Sequence, residues 1–248
     1  MLKSTFTIFT GIGPRKEYNL WKRGVKSWED LLADENCAPA TVFEIGMAEE
    51  ALLRRDAGHF ISRLCPSDRW RILYEFASST AFIDVELDGW GRYSEPVVVG
   101  ILAHGAFSSF VKGVNLTAEA VLRKLGSARI LVSYNGTRHD IHYIHRIIPD
   151  VEIRYPAVDL VDMARKAELF GGLKAIERSL DIRRNQIVEL SANGRAVNLW
   201  NMWKRKGSRG ALNLLKQYNM EDTCNLKPVS EALMRILYSK TTRGVLDG

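Results

Sequence analysis

The run Thr80-Ala81-Phe82-Ile83-Asp84-Val85-Glu86-Leu87 places two acids inside an otherwise apolar, β-branched and aromatic segment. That composition reads as a strand. Side chains two apart on a strand point to the same face, so the carboxylates of Asp84 and Glu86 can reach one point in space. Charges on a strand also keep an exposed sheet edge from pairing. Taken alone, the stretch fits either role.

Two further stretches carry acids in apolar company. Ala128-Arg129-Ile130-Leu131-Val132-Ser133-Tyr134 reads as a second strand and Asn135-Gly136 as a turn. A helical pattern with Ile141, Ile144, His145 and Ile148 follows. Asp140 falls in its first turn, where the helix dipole favours a carboxylate; by itself it is an ordinary helix N-terminal acid. Tyr218 and Asp222 lie four apart in a helical pattern that includes Leu212, Leu214 and Leu215, and so share a helix face. By themselves they are a half-buried tyrosine and a surface aspartate. Acids beside apolar runs are costly unless a cation compensates them. A pair of divalent metal ions is the natural compensator, and such a pair points to phosphodiester hydrolysis.

In order and company, the three stretches resemble the motifs of the DEDD superfamily of 3′–5′ exonucleases, over roughly residues 78–230. Phe82-Ile83-Asp84-Val85-Glu86 is similar to the first motif and Tyr134 to Ile144, holding Asp140, to the second. Tyr218-Asn219-Met220-Glu221-Asp222 resembles the third in its tyrosine version; the histidine version needs His five residues before Asp222, where this chain has Gln217. Gly11-Ile12-Gly13-Pro14-Arg15-Lys16-Glu17, with Leu20-Trp21 and Ser27 to Leu32, resembles half of a helix-hairpin-helix. Asp68-Arg69-Trp70-Arg71 is similar to a prokaryotic subfamily. Two departures stand out: Leu87-Asp88-Gly89 replaces a usual Thr-Thr-Gly, and His139 replaces a usual Phe. His139, His142 and His145 recur every three residues, a spacing that drifts around a helix. They read as polar helix residues rather than a zinc site.

The resemblance implies an α/β fold, a ribonuclease H-like mixed sheet flanked by helices, with a small helical N-terminal region. It implies Asp84, Glu86 and Asp222 around one Mg²⁺ or Mn²⁺ ion, and Asp84 with Asp140 at a second. Two ions ~3.5–4 Å apart activate a water and stabilise the leaving 3′ oxygen. Tyr218, with a normal pKa near ~10, orients that water rather than deprotonating it. The product is a nucleoside 5′-monophosphate. Leu87, just after the first motif, and Asn135, within the second, are expected substrate contacts.

Composition sets the frame. The 248 residues are 46% hydrophobic with a net charge of +6, enough for one good core or a core with an appendage. No signal-peptide pattern opens the chain. The longest uncharged run, Pro96 to Val111, reads as two strands about Ala103-His104-Gly105 rather than a membrane span. Cys37, Cys65 and Cys224 are odd in number without CxxC spacing, which fits a reducing, cytoplasmic setting.

Residues 1–75 read as a helical region: Gly-Pro punctuation at 13–14, an amphipathic stretch near Glu49–Arg55, and a helix begun by Pro66-Ser67-Asp68. Residues 76–248 read as the exonuclease domain, with strands at Phe82–Glu86, Val97–Ala103, Phe107–Lys112 and Ala128–Tyr134, and a fifth around Ile153–Val158. Leu173 to Leu180 is helical.

Leu190 to Met220 contains no Asp or Glu but holds Arg195, Lys204, Arg205, Lys206, Arg209 and Lys216, with Trp200 and Trp203. Basic residues beside aromatics suit a single strand; tryptophans facing the core beside a solvated loop give the same pattern. Lys204, Arg205, Lys206 and Arg209 are the expected phosphate contacts, with Arg15 and Lys16 at the N-terminal turn. The leading expectation is an exonuclease on single-stranded DNA. An RNA-trimming nuclease similar to ribonuclease D, and a nucleic-acid-binding protein without turnover, stand beside it.

Overall fold

The computed structural model describes residues 1–89, 93–136, 140–149, 151, 155–184 and 196–246. Among them a five-stranded mixed sheet has the order β3-β2-β1-β4-β5. Its strands are β1 (Thr80–Leu87), β2 (Pro96–Ala103), β3 (Ala106–Val111), β4 (Ile130–Ser133) and β5 (Ala157–Asp159). The first three form an antiparallel meander, and β1-β4-β5 run parallel. The first four strands lie within two or three residues of their sequence expectation. The fifth is shorter and starts later than Ile153, and residues 153 and 154 lie outside the described residues.

β1 is therefore a central strand, not an edge. Its odd-numbered residues Ala81, Ile83 and Val85 bury one face against α6 (Ala118–Leu125) and α7 (Asp140–His145). Phe82, on the other face, joins the larger core with α8 (Leu160–Lys166) and α11 (Arg209–Thr242). Asp84 and Glu86 continue that second face, so the period of two that makes the strand also aims both acids at α11. Between them lie α9 (Leu173–Ser179) and α10 (Ala196–Lys206). Trp200 is buried against Val97, Val98 and Leu215, and Trp203 packs at the rim of that cluster. The tryptophans thus face the core.

The N-terminal region is helical, with α1 (Pro14–Lys22), α2 (Trp28–Ala33), α3 (Pro39–Leu53), α4 (Ala57–Ile61) and α5 (Trp70–Leu73). α3 starts ten residues before the expected amphipathic stretch, because Pro39 supplies a favourable first helical residue. Pro66-Ser67-Asp68 forms a 3₁₀ turn, and the α-helix begins only at Trp70. The region shares one apolar core with the sheet: Trp21, Trp28, Phe60 and Trp70 join Phe82, Val132 and the C-terminal half of α11. Arg71 and Glu17, 2% and 1% exposed, close a buried ion pair at 2.9 Å. Glu17 also accepts from the Phe6 and Thr7 amides. Removing either partner strands a charge and costs about 3–5 kcal/mol. Cys37, Cys65 and Cys224 are free thiols. No helix among the described residues is long and apolar enough to cross a membrane.

Candidate active site

The acids meet because a glycine lets a helix approach a strand. Gly100 on β2 lies opposite Asp84 on β1. A Cβ at Gly100 would come within 2.2 Å of Thr223 Oγ1 and 2.4 Å of Asn219 Oδ1. The bare backbone leaves room for α11 to lie directly on the sheet. Fully buried Asn219 then donates from Nδ2 to Asp84 Oδ2 at 2.8 Å and to the Asp84 carbonyl at 3.2 Å. One helical turn from Tyr218, Asp222 arrives beside β1, and Asp84, Glu86 and Asp222 each present a carboxylate oxygen within 4.8 Å of the others. The strand pairing shifts register between Glu86 and Leu87, a local irregularity of the kind that re-aims side chains beside active sites.

Asp140 comes from the next strand over. Asn135 adopts φ 59°, a left-handed turn, and its amide donates to Asp159 Oδ1 at 2.7 Å. Asp159, buried at the end of β5, also caps α8 through the Val161 amide. Gly136 has no space for a side chain: a Cβ would lie 2.0 Å from Ser133 Oγ and 2.8 Å from Asp140 Oδ2. Asp140 therefore begins α7 at the C-terminal end of β4, outside the three-carboxylate cluster but electrostatically coupled to Asp84 and Asp222.

The electrostatics are those of a site built for a cation. Burial, then the charge of Asp222, pushes the Asp84 carboxyl up to about 8. Burial and the neighbouring acids hold Glu86 and Asp140 well above the usual carboxylate range. Burial and the charges of Asp222, Glu86 and Asp84 likewise raise the Tyr218 phenol far above its ordinary value. Tyr218 is thus a committed O–H donor at neutral pH. Hard carboxylate oxygens converging on one point fit a divalent cation.

Sequence reasoning missed several residues of this neighbourhood. Arg184, 6% exposed, pairs with Asp222 Oδ1 at 2.5 Å and grips buried Glu177 through Nε and, at 2.8 Å, through Nη2. Asn225 donates to the same Glu177 at 2.9 Å. Lys174 Nζ stands 5.2 Å from the Tyr218 ring centre. Gly100 was legible in principle, as a lone glycine within the Val97-to-Leu102 run. Arg184 carries no motif and joins the site only through folding.

Of the expected substrate contacts, Leu87 ends β1 and is half-buried, and exposed Asn135 lines a small pocket with Arg69 and Arg165. Lys204, Arg205, Lys206 and Arg209 are exposed where α10 meets α11; Arg209 lies about 20 Å along the helix from Asp222 at 1.5 Å per residue. Arg195 lies outside the described residues. Arg15 and Lys16 are exposed on α1. Arg15 lines a separate cleft of about 440 Å³ with Tyr18, Lys240 and Arg243, and Lys240 lies about 27 Å along α11 from Asp222. His142 and His145 are exposed on α7, and His139 lies outside the described residues.

No curated protein and no solved structure matches the chain. A family model described as RNase_H superfamily matches residues 81–234, well over half its length. That span runs from β1 into the second half of α11 and contains Asp84, Glu86, Asp140, Tyr218 and Asp222. The RNase H-like domain is of nuclease type, with divalent metals and nucleic acid as its cofactor and substrate classes. On its sheet order, its acidic cluster and this match, the chain belongs to the RNase H superfamily.

Proposed function

We propose that this protein is a metal-dependent 3′–5′ exonuclease that removes nucleoside 5′-monophosphates from single-stranded DNA. The observation that carries the reading is Asp222, delivered by α11 to within 4.8 Å of Asp84 and Glu86 four residues after a protonated Tyr218. The direction of attack and the product are carried over from the resemblance to the DEDD exonucleases of the tyrosine type.

Asp84, Glu86 and Asp222 would hold one Mg²⁺ or Mn²⁺, and Asp84 with Asp140 a second. Such a pair supplies a water of lowered pKa and charge stabilisation at the leaving oxygen. The chain's own residues prepare that chemistry. Asn219 fixes the Asp84 carboxylate, and Arg184, itself held by Glu177, fixes that of Asp222. Burial and mutual repulsion raise the Asp84, Glu86 and Asp140 carboxyls, so a bound cation would compete with protons for the cluster. Tyr218 keeps its proton and donates a hydrogen bond that orients the attacking water.

The test is digestion of 5′-labelled single-stranded DNA, RNA and duplex in parallel, with Mg²⁺, Mn²⁺ or a chelator. A ladder shortening from the 3′ end of single-stranded DNA, abolished by chelator, is the expected result. Full activity in chelator after metal stripping refutes the two-metal reading. Exclusive cleavage of RNA moves the substrate to the RNA-trimming class.

A further inference from the structure

Next to the acidic cluster, α9 and the residues that follow it line an open cleft of about 430 Å³. Its walls carry Lys174, Arg178, Arg183 and Arg184 against Glu177 and Asp181. Two of these charges are already used: the Arg184 side chain and Glu177 are buried, grip each other, and through Arg184 reach Asp222. That leaves Lys174, Arg178 and Arg183 against Asp181, a net excess of two positive charges. Arg178 and Arg183 are exposed, and neither side chain makes an ion pair or hydrogen bond to a described residue. Lys174 reaches from the cleft to the face of the Tyr218 ring. Two residues of the cleft wall therefore touch the active site, Lys174 at the Tyr218 ring and Arg184 at Asp222.

Unneutralised arginines in a concavity concentrate positive potential and attract anions. A phosphodiester strand carries one negative charge per nucleotide, and this concavity offers it countercharge beside the acidic cluster. The contact available is charge and guanidinium geometry, which suits phosphate oxygens rather than base edges.

We infer that this cleft is the backbone track of the substrate, with Lys174, Arg178 and Arg183 holding phosphates that flank the scissile bond. The inference rests on the nuclease reading above. It also places the nearest phosphate grip beside Tyr218 and Asp222, rather than at Lys204–Arg209 or at Arg15.

The experiment compares wild type with an Arg178→Ala/Arg183→Ala double variant. Both positions are exposed and touch no acid of the cluster, so the fold and the Mn²⁺ affinity are retained. Binding of a 5′-fluorescein-labelled oligothymidylate is followed by anisotropy across a salt series, with Ca²⁺ replacing the active metal. The log–log salt slope should shrink by about 1.4, two contacts at about 0.7 each for a single strand, and KM should rise with Mn²⁺ affinity unaltered. Arg178→Glu/Arg183→Glu should weaken binding further at low salt. If wild type binds the probe and the double variant matches its affinity and slope, the track lies elsewhere and the nuclease reading is untouched. If wild type does not bind the probe at any salt, the nuclease reading and this inference fail together.

Discussion

Replacing Gly100 by alanine tests the helix-on-strand contact that assembles the acids. The new Cβ would sit 2.2 Å from Thr223 Oγ1 and 2.4 Å from Asn219 Oδ1, where ordinary contact begins near 3.4 Å. A retreat of about 1 Å is therefore required. Neither neighbour can swing into solvent, because Asn219 and Thr223 are both fully buried and the Thr223 hydroxyl donates to the Asn219 carbonyl at 2.7 Å. Overpacking of this kind costs about 1–3 kcal/mol. Losing the Asn219 bond to the Asp84 carboxyl adds about 0.5–1.5 kcal/mol. A combined loss of about 3 kcal/mol lowers the melting temperature by roughly 6–12 °C in a chain of this size.

A misplacement of about 1 Å in the groups that hold the metal costs on the order of 100-fold in turnover. The assay pairs thermal unfolding with calorimetric Mn²⁺ titration and oligonucleotide digestion. A triple variant, Gly100→Ala with Asn219→Ala and Thr223→Ala, removes the clash. It should recover the share of the melting temperature lost to overpacking but not the Mn²⁺ affinity, because Asp84 still lacks its Asn219 donor. A single variant with wild-type melting temperature and Mn²⁺ affinity would show that Gly100 does not provide the close approach, and the assembly argument would fall.

Three further outcomes are expected. Because the Asp84 carboxyl is raised to about 8 in the folded protein, the native state keeps a proton that the unfolded chain loses near pH ~4. The contribution of Asp84 to stability is therefore full below about pH 4 and is lost as pH rises to about 8. Asp84→Asn should flatten the fall of melting temperature with pH in chelator and abolish turnover; parallel pH profiles for the two proteins would count against the coupling. Tyr218→Phe should slow turnover by about 2–4 kcal/mol of transition-state stabilisation and leave Mn²⁺ affinity in calorimetry unchanged, whereas a fully active variant makes Tyr218 a packing residue. Joint replacement of Lys204, Arg205, Lys206 and Arg209 by alanine should reduce the single-strand salt slope by about 0.7 for each phosphate contact they make; an unchanged slope assigns them to a solvated surface.

The sequence by itself determined the period-two strand that carries Asp84 and Glu86, the strand-turn-helix that starts at Asp140, and the i, i+4 pair of Tyr218 and Asp222. These are local rules: alternation along a strand, a turn dipeptide, a helix repeat. They gave the type and place of the main elements, and on them rested the expectation of a ribonuclease H-like sheet. Only the tertiary structure decided that β1 is the central strand, so that its acids face a helix rather than water. The contact through Gly100, the Asn219 bond to Asp84 and the Arg184–Glu177 grip on Asp222 join residues between 38 and 135 positions apart. No periodicity in a chain encodes such distances, because they follow from how faces pack once formed. The same holds for the cleft beside Tyr218: Lys174, Arg178 and Arg183 look like ordinary surface charge in sequence, and become a concentrated positive wall only because α9 packs beside the acidic cluster.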